Sequence, residues 1–490
     1  MDFRKLAPAV VVAAVALWSV WPVVVRQSRI PDYGYDGWFI NWVINREAKI
    51  ISGCIRNPGE CKHLLFQGNI YYPYKNTLAY SELFFIDAAV AYFPVILSKN
   101  PAVASGWVMA VGQVTTMLVL YFWFKEIAGN SWGAVVGSVA FGLSQIRWEY
   151  QVHLQMWGMQ YWLVGCWLII KWVKGEKWVK GVVGAILLGL QMWQTVLPVY
   201  FAATIILAAL IFKIQDSRFN KFKKLLFICV IAGVVAWPVV RVYSKVSREM
   251  GFVRTIRDAA HGSISVNDLW GKFYSPGLFI LLAVAVIRLV VPHPYPSPKL
   301  GEGKWLILIL FIGVVMAMGP TLRWRGETVK VGGYPIPLPY AAAYYAVPGL
   351  QASRTTSRWM WLAGFGASGL IALGMSNIQY SMFNKKTLGL VGAIFVAIFG
   401  GTHLVKYREL PRPEEFPKVY KWLKDQPGEV ILELPRGNED IELQRMYYSW
   451  IHDKKLVNGY SGFKPPEIDA KVDYVIIHKD NEESVVYSFR

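Results

Sequence analysis

The residues that could do chemistry fall into four separated stretches. The first is Asp32-Tyr33-Gly34-Tyr35-Asp36-Gly37-Trp38, directly after an apolar run. A carboxylate flanked by glycines can approach a substrate closely and act as a general base; the bland reading is a solvated turn built from Asp and Gly. The second stretch, Asn69 to Glu82, places Lys75 and the carboxylate of Glu82 among Tyr71, Tyr72, Tyr74 and Tyr80. Such rings can stack on sugars or shelter headgroups, and they are equally ordinary interfacial residues. The third, Arg147 to Gln155, holds His153 and Gln155. A lone His is more often a hydrogen-bonded structural residue than a metal ligand, and no clustered Cys/His spacing supports a metal site. The fourth, Pro348 to Arg358, carries Arg354 and Arg358 four residues apart, on one face if helical. Guanidinium groups bind phosphate bidentately, and the plain alternative is snorkelling to lipid. Arg241, Lys245, Arg248, Arg254 and Arg257 add a further basic stretch.

These stretches lie between apolar runs. The 490 residues are 54% hydrophobic and 17% charged, and apolar runs long enough for a ~30 Å hydrocarbon core recur along most of the chain. The first is Ala7 to Val25 and the last Leu388 to Gly400. Trp21, Trp123, Trp132, Trp172 and Trp359 mark ends of runs, where half-polar rings settle at the headgroups. No small-residue cleavage site follows the first run, which is expected to be retained as a span.

Sidedness follows from the positive charges. Arg4 and Lys5 put the amino terminus in the cytoplasm, so a loop over 26–102 lies outside. Within it, Leu83 to Leu97 is short and carries Asp87 and Pro94, the pattern of a helix on the membrane surface. With that helix non-spanning, the clusters Lys171/Lys174/Lys177/Lys180 and Lys213/Arg218/Lys221/Lys223/Lys224 both fall inside, as do Lys299, Lys304, Lys385 and Lys386. The count is then about eleven crossings. The hairpin near Gln194 to Pro198, like all four candidate stretches, falls outside.

The net charge of +19 is therefore that of anchoring loops, and nucleic acid is not an expected partner. Cys166 and Cys229 lie in apolar runs and read as small buried residues. Cys54 and Cys61 share the first outer loop and can pair as a disulfide if it faces an oxidising compartment. There is no P-loop, GxSxG or HExxH, and the spans lack the repeated charges of ion relays. The sequence requires no metal, and leaves a divalent cation open.

After His403 the chain turns polar. Pro417 to Lys424 predicts a helix, Glu429 to Leu434 a strand, and Val472 to His478 a buried strand. This divides the chain into a membrane region, 1–404, and a small extracytoplasmic α/β region, 405–490. At roughly 80 residues the latter holds only a marginal core and is expected to lean on the membrane part.

One span, an acidic outer loop with a carboxylate at its start, then a surface helix: this order resembles the GT-C superfamily of membrane glycosyltransferases, which includes the protein O-mannosyltransferases and the lipid A aminoarabinose transferase. Asn69-Ile70-Tyr71-Tyr72-Pro73, Thr77 to Glu82, His153-Leu154-Gln155, the segment from Pro348 to Arg358, Glu433-Leu434-Pro435 and Asn458 to Gly462 are similar to a group of bacterial membrane proteins with a GT-C-like core. The resemblance covers nearly the whole chain. It implies an all-α polytopic fold in the plasma membrane. It also implies a polyprenyl-phosphate-linked sugar donor and transfer, usually inverting, to a glycan, lipid or protein acceptor on the outer face. Carried onto this sequence, it makes Asp36 the catalytic carboxylate, with Asp32 the second choice, Glu82 a polar contact at the substrate, and Arg354 and Arg358 the donor-phosphate ligands. Lys75, His153 and Gln155 are the remaining candidates for substrate contact. In one respect the chain departs from the pattern: the family's common Asp-Glu pair is here Asp36-Gly37. The rival expectation is a transporter or accessory factor for lipid-linked glycans that kept the fold without the chemistry.

Overall fold

The structure, a computed structural model, describes residues 3–32, 34, 36–212, 218–269, 276–290, 300–376, 405–479 and 484–489. The expected last span, Leu388 to Gly400, lies outside these residues, as do Lys213, Lys299, Lys385 and Lys386.

Apolar runs become helices because a lipid interior offers backbone groups no partner but each other. In order these are α1 (Phe3–Ser19), α2 (Asp36–Arg56), α3 (Phe85–Ser98), α4 (Val103–Ala128), α5 (Ser131–Gly142), α6 (Gln160–Val173), α7 (Trp178–Gln191), α8 (Leu197–Phe212), α9 (Arg218–Met250), α10 (Pro276–Val290), α11 (Leu300–Ala317) and α12 (Met360–Ser376). Among the described residues, three helical stretches are long and apolar enough to cross a membrane: Val103–Ala128, Phe222–Met250 and Thr356–Ser376. Six more are apolar but shorter. The fold is thus mainly helical, and the eleven crossings remain an expectation.

The bundle is organised around α12, every residue of which is buried. It packs on α5, α4, α11 and α10. Small residues permit the approach: a Cβ on Gly366 would stand 2.7 Å from the Leu310 nitrogen, and one on Gly137 2.7 Å from the Ser368 oxygen. Without a hydrophobic drive between helices in lipid, such close backbone contact supplies the packing energy. Around this centre α6 pairs with α7, and α7 with α9.

Trp123 and Trp359 are 2% and 3% exposed, their rings packed on Phe365 and Phe201. Cys229, expected to be buried, is exposed, whereas Cys166 is buried. Arg147, expected as an outer charge, lies in the short helix Gln145–Trp148 and is fully buried. Its Nε donates to Gln113 Oε1 (2.7 Å), one Nη to the Trp157 carbonyl (2.9 Å), and the guanidinium stacks 4.0 Å from the Trp157 ring. Cys54 and Cys61 form a disulfide.

The segment 26–102, expected as an outer loop, contains α2, a 21-residue helix that hydropathy did not predict. Asn41, Asn45 and Glu47 interrupt its apolar pattern, yet all are buried; Asn41 donates to Ser105 Oγ (3.0 Å) and Asn45 to the Pro101 carbonyl (2.9 Å). The carboxy-terminal segment forms β2 (Tyr407–Glu409), α13 (Lys418–Asp425), β3 (Val430–Leu434), α14 (Glu439–Tyr448), β4 (Lys455–Leu456), β5 (Tyr474–His478) and β6 (Ser484–Ser488). Four of its strands make one sheet in the order β6-β5-β3-β4, parallel except for β6. A short strand within residues 26–102, β1 (Arg29–Pro31), pairs antiparallel with β2. Residues 69–72 run alongside β4, with Leu456 N donating to Asn69 O (2.7 Å) and Tyr72 N to Leu456 O (2.9 Å). The Trp38 ring meets Tyr447 edge-on at 5.1 Å, and Arg46 pairs with Asp453 at 2.7 Å. Backbone pairing, aromatic packing and ion pairs thus join this segment to residues 26–102.

Candidate active site

Asp36 is the first residue of α2, where a carboxylate also meets the positive end of the helix dipole. Its Oδ2 lies 3.3 Å from His153 Nε2. His153 stands just ahead of the short helix Leu154–Trp157. Hydrogen bonding to His153 is the largest influence on Asp36 and, with the charges of Arg358 and Arg354, outweighs its burial, holding the carboxyl below its ordinary value. Asp36 is therefore an ionised, acceptor-only group at neutral pH. At position 37, where the chain departs from the pattern, a Cβ would stand 2.8 Å from Ile30 Cδ1, so a larger residue requires the Ile30 side chain to shift.

Glu82, between the tyrosine-rich loop and α3, is the second centre. Its Oε1 accepts from the Thr195 hydroxyl (2.6 Å) and from Arg358 Nη1 (3.4 Å), and its Oε2 accepts from the Gln155 amide. The side chains of Glu82 and Arg358 are 30% and 15% exposed. Gln155 follows His153 by two residues, so one tight turn supplies a partner to each carboxylate. Behind Glu82, Gln194 Nε2 donates to Asp87 Oδ1 at 2.7 Å, both residues buried. Sequence reasoning missed Thr195, Gln194 and Asp87 as site neighbours. The available signal was a Gln-Thr pair in an otherwise apolar hairpin and an Asp in an apolar surface helix.

Arg354 is exposed and makes no hydrogen bond or ion pair among the described residues. Its charge reaches Asp36 and also Arg254, whose guanidinium is held below its ordinary value chiefly by burial and then by Arg354. The segment carrying Arg354 is seated closely: a Cβ on Gly262 would stand 2.1 Å from the Arg354 carbonyl oxygen, and Ser357 N donates to the Gly262 carbonyl (3.0 Å).

Asp36, His153, Glu82, Gln155 and Arg358 thus form one linked cluster, with Arg354 at its edge. Two candidates stand apart. Asp32 pairs with Arg408 of β2, and its backbone nitrogen donates to Lys406 O (2.8 Å), which ties residues 26–102 to the carboxy-terminal segment. Lys75 is exposed, next to Tyr74. Among the described residues, no three His, Cys, Asp or Glu side chains gather as metal ligands. A separate cleft lies between Tyr71–Tyr74 and the carboxy-terminal segment, and none of the cluster residues line it.

No family model and no curated protein matches the chain. Its structure is similar to that of arabinofuranosyltransferase AftD from mycobacteria, with a TM-score of 0.57 and 14% identity over 93% of this chain. The chain spans 33% of the length of that protein. At this identity the likeness is one of fold alone.

Proposed function

We propose that the chain is a GT-C-type membrane glycosyltransferase of the plasma membrane, with its charged cluster and carboxy-terminal segment on the extracytoplasmic face. The observation that carries the reading is the meeting of two carboxylates, an imidazole and two arginines contributed by four distant segments. In this reading a polyprenyl-phosphate-linked sugar lies with its phosphate at Arg354 and Arg358. Arg354 offers an unengaged guanidinium, and Arg358 is oriented by Glu82. Asp36, ionised and held by His153, accepts the hydrogen bond of an acceptor hydroxyl and turns its oxygen toward the anomeric carbon. As the new glycosidic bond forms, the bond from that carbon to the phosphate oxygen breaks with inversion. The proton passes to Asp36, and the leaving phosphate carries its charge to the arginines. A carboxylate held this low is a weak base toward a resting hydroxyl. Orientation is its main contribution until bond formation makes the hydroxyl acidic, and such groups contribute roughly 10²–10⁴ in rate.

The test is sugar release from a panel of polyprenyl-phosphate sugars by the purified protein and its Asp36→Asn form. Loss of turnover in Asp36→Asn with the donor still bound is the expected result. Equal turnover removes Asp36 from the mechanism, and no turnover with any donor removes the transferase reading.

A further inference from the structure

The cleft between Tyr71–Tyr74 and the carboxy-terminal segment has a volume of about 200 Å³. Sites that enclose a whole drug-sized ligand run to roughly 300–1,000 Å³, so this one suits a single unit of a longer molecule whose remainder stays in water. One wall is the loop bearing Tyr71 and Tyr74, and the other is the carboxy-terminal segment with Tyr460.

The walls are held in place. Tyr71 stacks on Tyr80 with ring centroids 6.1 Å apart, and Tyr74 donates from its hydroxyl to the Pro466 carbonyl (3.0 Å). Gly459 passes so near the Tyr71 ring that a Cβ would stand 3.1 Å from it. Tyr460 rests edge-on against Phe39 at 5.8 Å, one helical turn from Asp36 on α2.

Glu442 gives the cleft a fixed acceptor. Its side chain is 8% exposed, and Oε1 accepts from Arg445 Nη1 and Asn458 Nδ2, each at 3.1 Å. Its Oε2 has no hydrogen-bond partner among the described residues, although a buried carboxylate oxygen left unmatched is costly. The outer charges largely cancel: Glu467 lies 2.9 Å from Lys464 and 3.8 Å from Arg436. A phosphate would find no net positive field here, and an acyl chain would meet carboxylates and open water. Aromatic rings with an oriented carboxylate match a ligand with apolar C–H faces and hydroxyl edges.

We propose that this cleft binds one sugar unit of a neutral glycan chain through the Tyr74 and Tyr460 rings and the Glu442 carboxylate, with Tyr71 buried as the floor behind them. Its place along α2 makes that glycan the acceptor of the transfer, a role that rests on the transferase reading; the binding itself does not.

The experiment uses the full chain in detergent, without donor, and saturation-transfer NMR with four neutral hexasaccharides: malto-, cello-, manno- and α-1,5-arabino-hexaose. At least one binds, Tyr74→Ala weakens it about tenfold or more, as truncating an aromatic anchor does, and Tyr74→Phe retains it. Asp36→Asn leaves the binding in place. No binding by any of the four, or binding indifferent to Tyr74→Ala, overturns the proposal. Binding lost in Tyr74→Ala by a protein that turns over no donor supports the cleft and sinks the transferase reading alone.

Discussion

Glu82→Gln should tighten phosphate binding while slowing transfer. In the resting protein Arg358 already has a carboxylate partner, so a donor phosphate must compete with Glu82 for the guanidinium. Two unit charges 3.4 Å apart at an effective dielectric near 20 attract by about 5 kcal/mol before desolvation. The net worth is smaller, because both groups must shed water. Exposed pairs are worth about 0.2–1 kcal/mol, and breaking buried ones costs about 3–5. At 15% and 30% exposure this pair lies between, and we take about 1–2 kcal/mol, a 5- to 30-fold effect. The substitution is gentle on the fold. A glutamine oxygen still accepts from Thr195, and Gln155 can turn its amide to present Oε1, which has no hydrogen-bond partner among the described residues. Calorimetric titration with farnesyl phosphate should therefore show a 5- to 30-fold lower Kd for Glu82→Gln. The double variant with Arg358→Gln should bind no better than Arg358→Gln alone. Unchanged or weaker binding in Glu82→Gln, or tightening that survives loss of Arg358, would refute the competition argument.

Gly262→Ala should force the Arg354 carbonyl away, since the new methyl would stand 2.1 Å from it. A melting-point loss corresponding to about 1–3 kcal/mol of overpacking, together with weaker farnesyl phosphate binding, is expected; unaltered binding would detach Arg354 from the site. Burial lowers the His452 imidazole to about 4, so between pH 6.5 and 4 the unfolded chain binds the extra proton. The resulting stability is fully present above pH 6.5 and falls by about 3 kcal/mol as pH drops to 4. Denaturant melts at pH 7 and 4.5 should show this slope for the wild type and a flatter one for His452→Gln. Cys54 and Cys61 close a loop with a sequence separation of 7, and replacing both by Ser should cost about 2 kcal/mol by chain entropy. A reductant should lower the wild-type melting temperature and leave the double variant unmoved.

The legibility of the fold followed hydropathy. Where one environment dominates, as along Leu83–Leu97, the expected helix matches α3 within two residues. The predicted helix Pro417–Lys424 and strands Glu429–Leu434 and Val472–His478 likewise reappear as α13, β3 and β5. Where burial comes from partners remote in the chain, the pattern misled. Asn41, Asn45 and Glu47 looked like a solvated loop and lie buried in α2. Arg147 looked like an outer charge and is enclosed by Gln113 and the Trp157 ring. A single side chain's type cannot say whether another segment, dozens of residues away, will supply its partner.

What the residues determined by themselves is the solvent of each segment, since transfer into lipid or water is a sum over local side chains. From this come a membrane bundle, a polar carboxy-terminal segment, and candidate groups gathered in the stretches between apolar runs. Which of those groups meet was decided only by tertiary structure. Asp36 finds His153, and Glu82 finds Arg358 across 276 positions, whereas Asp32 is drawn off to Arg408. Two carboxylates four residues apart in one loop thus end in different surroundings. Charge pairing acts over a few ångströms in space, and proximity in space is set by how helices pack rather than by order along the chain.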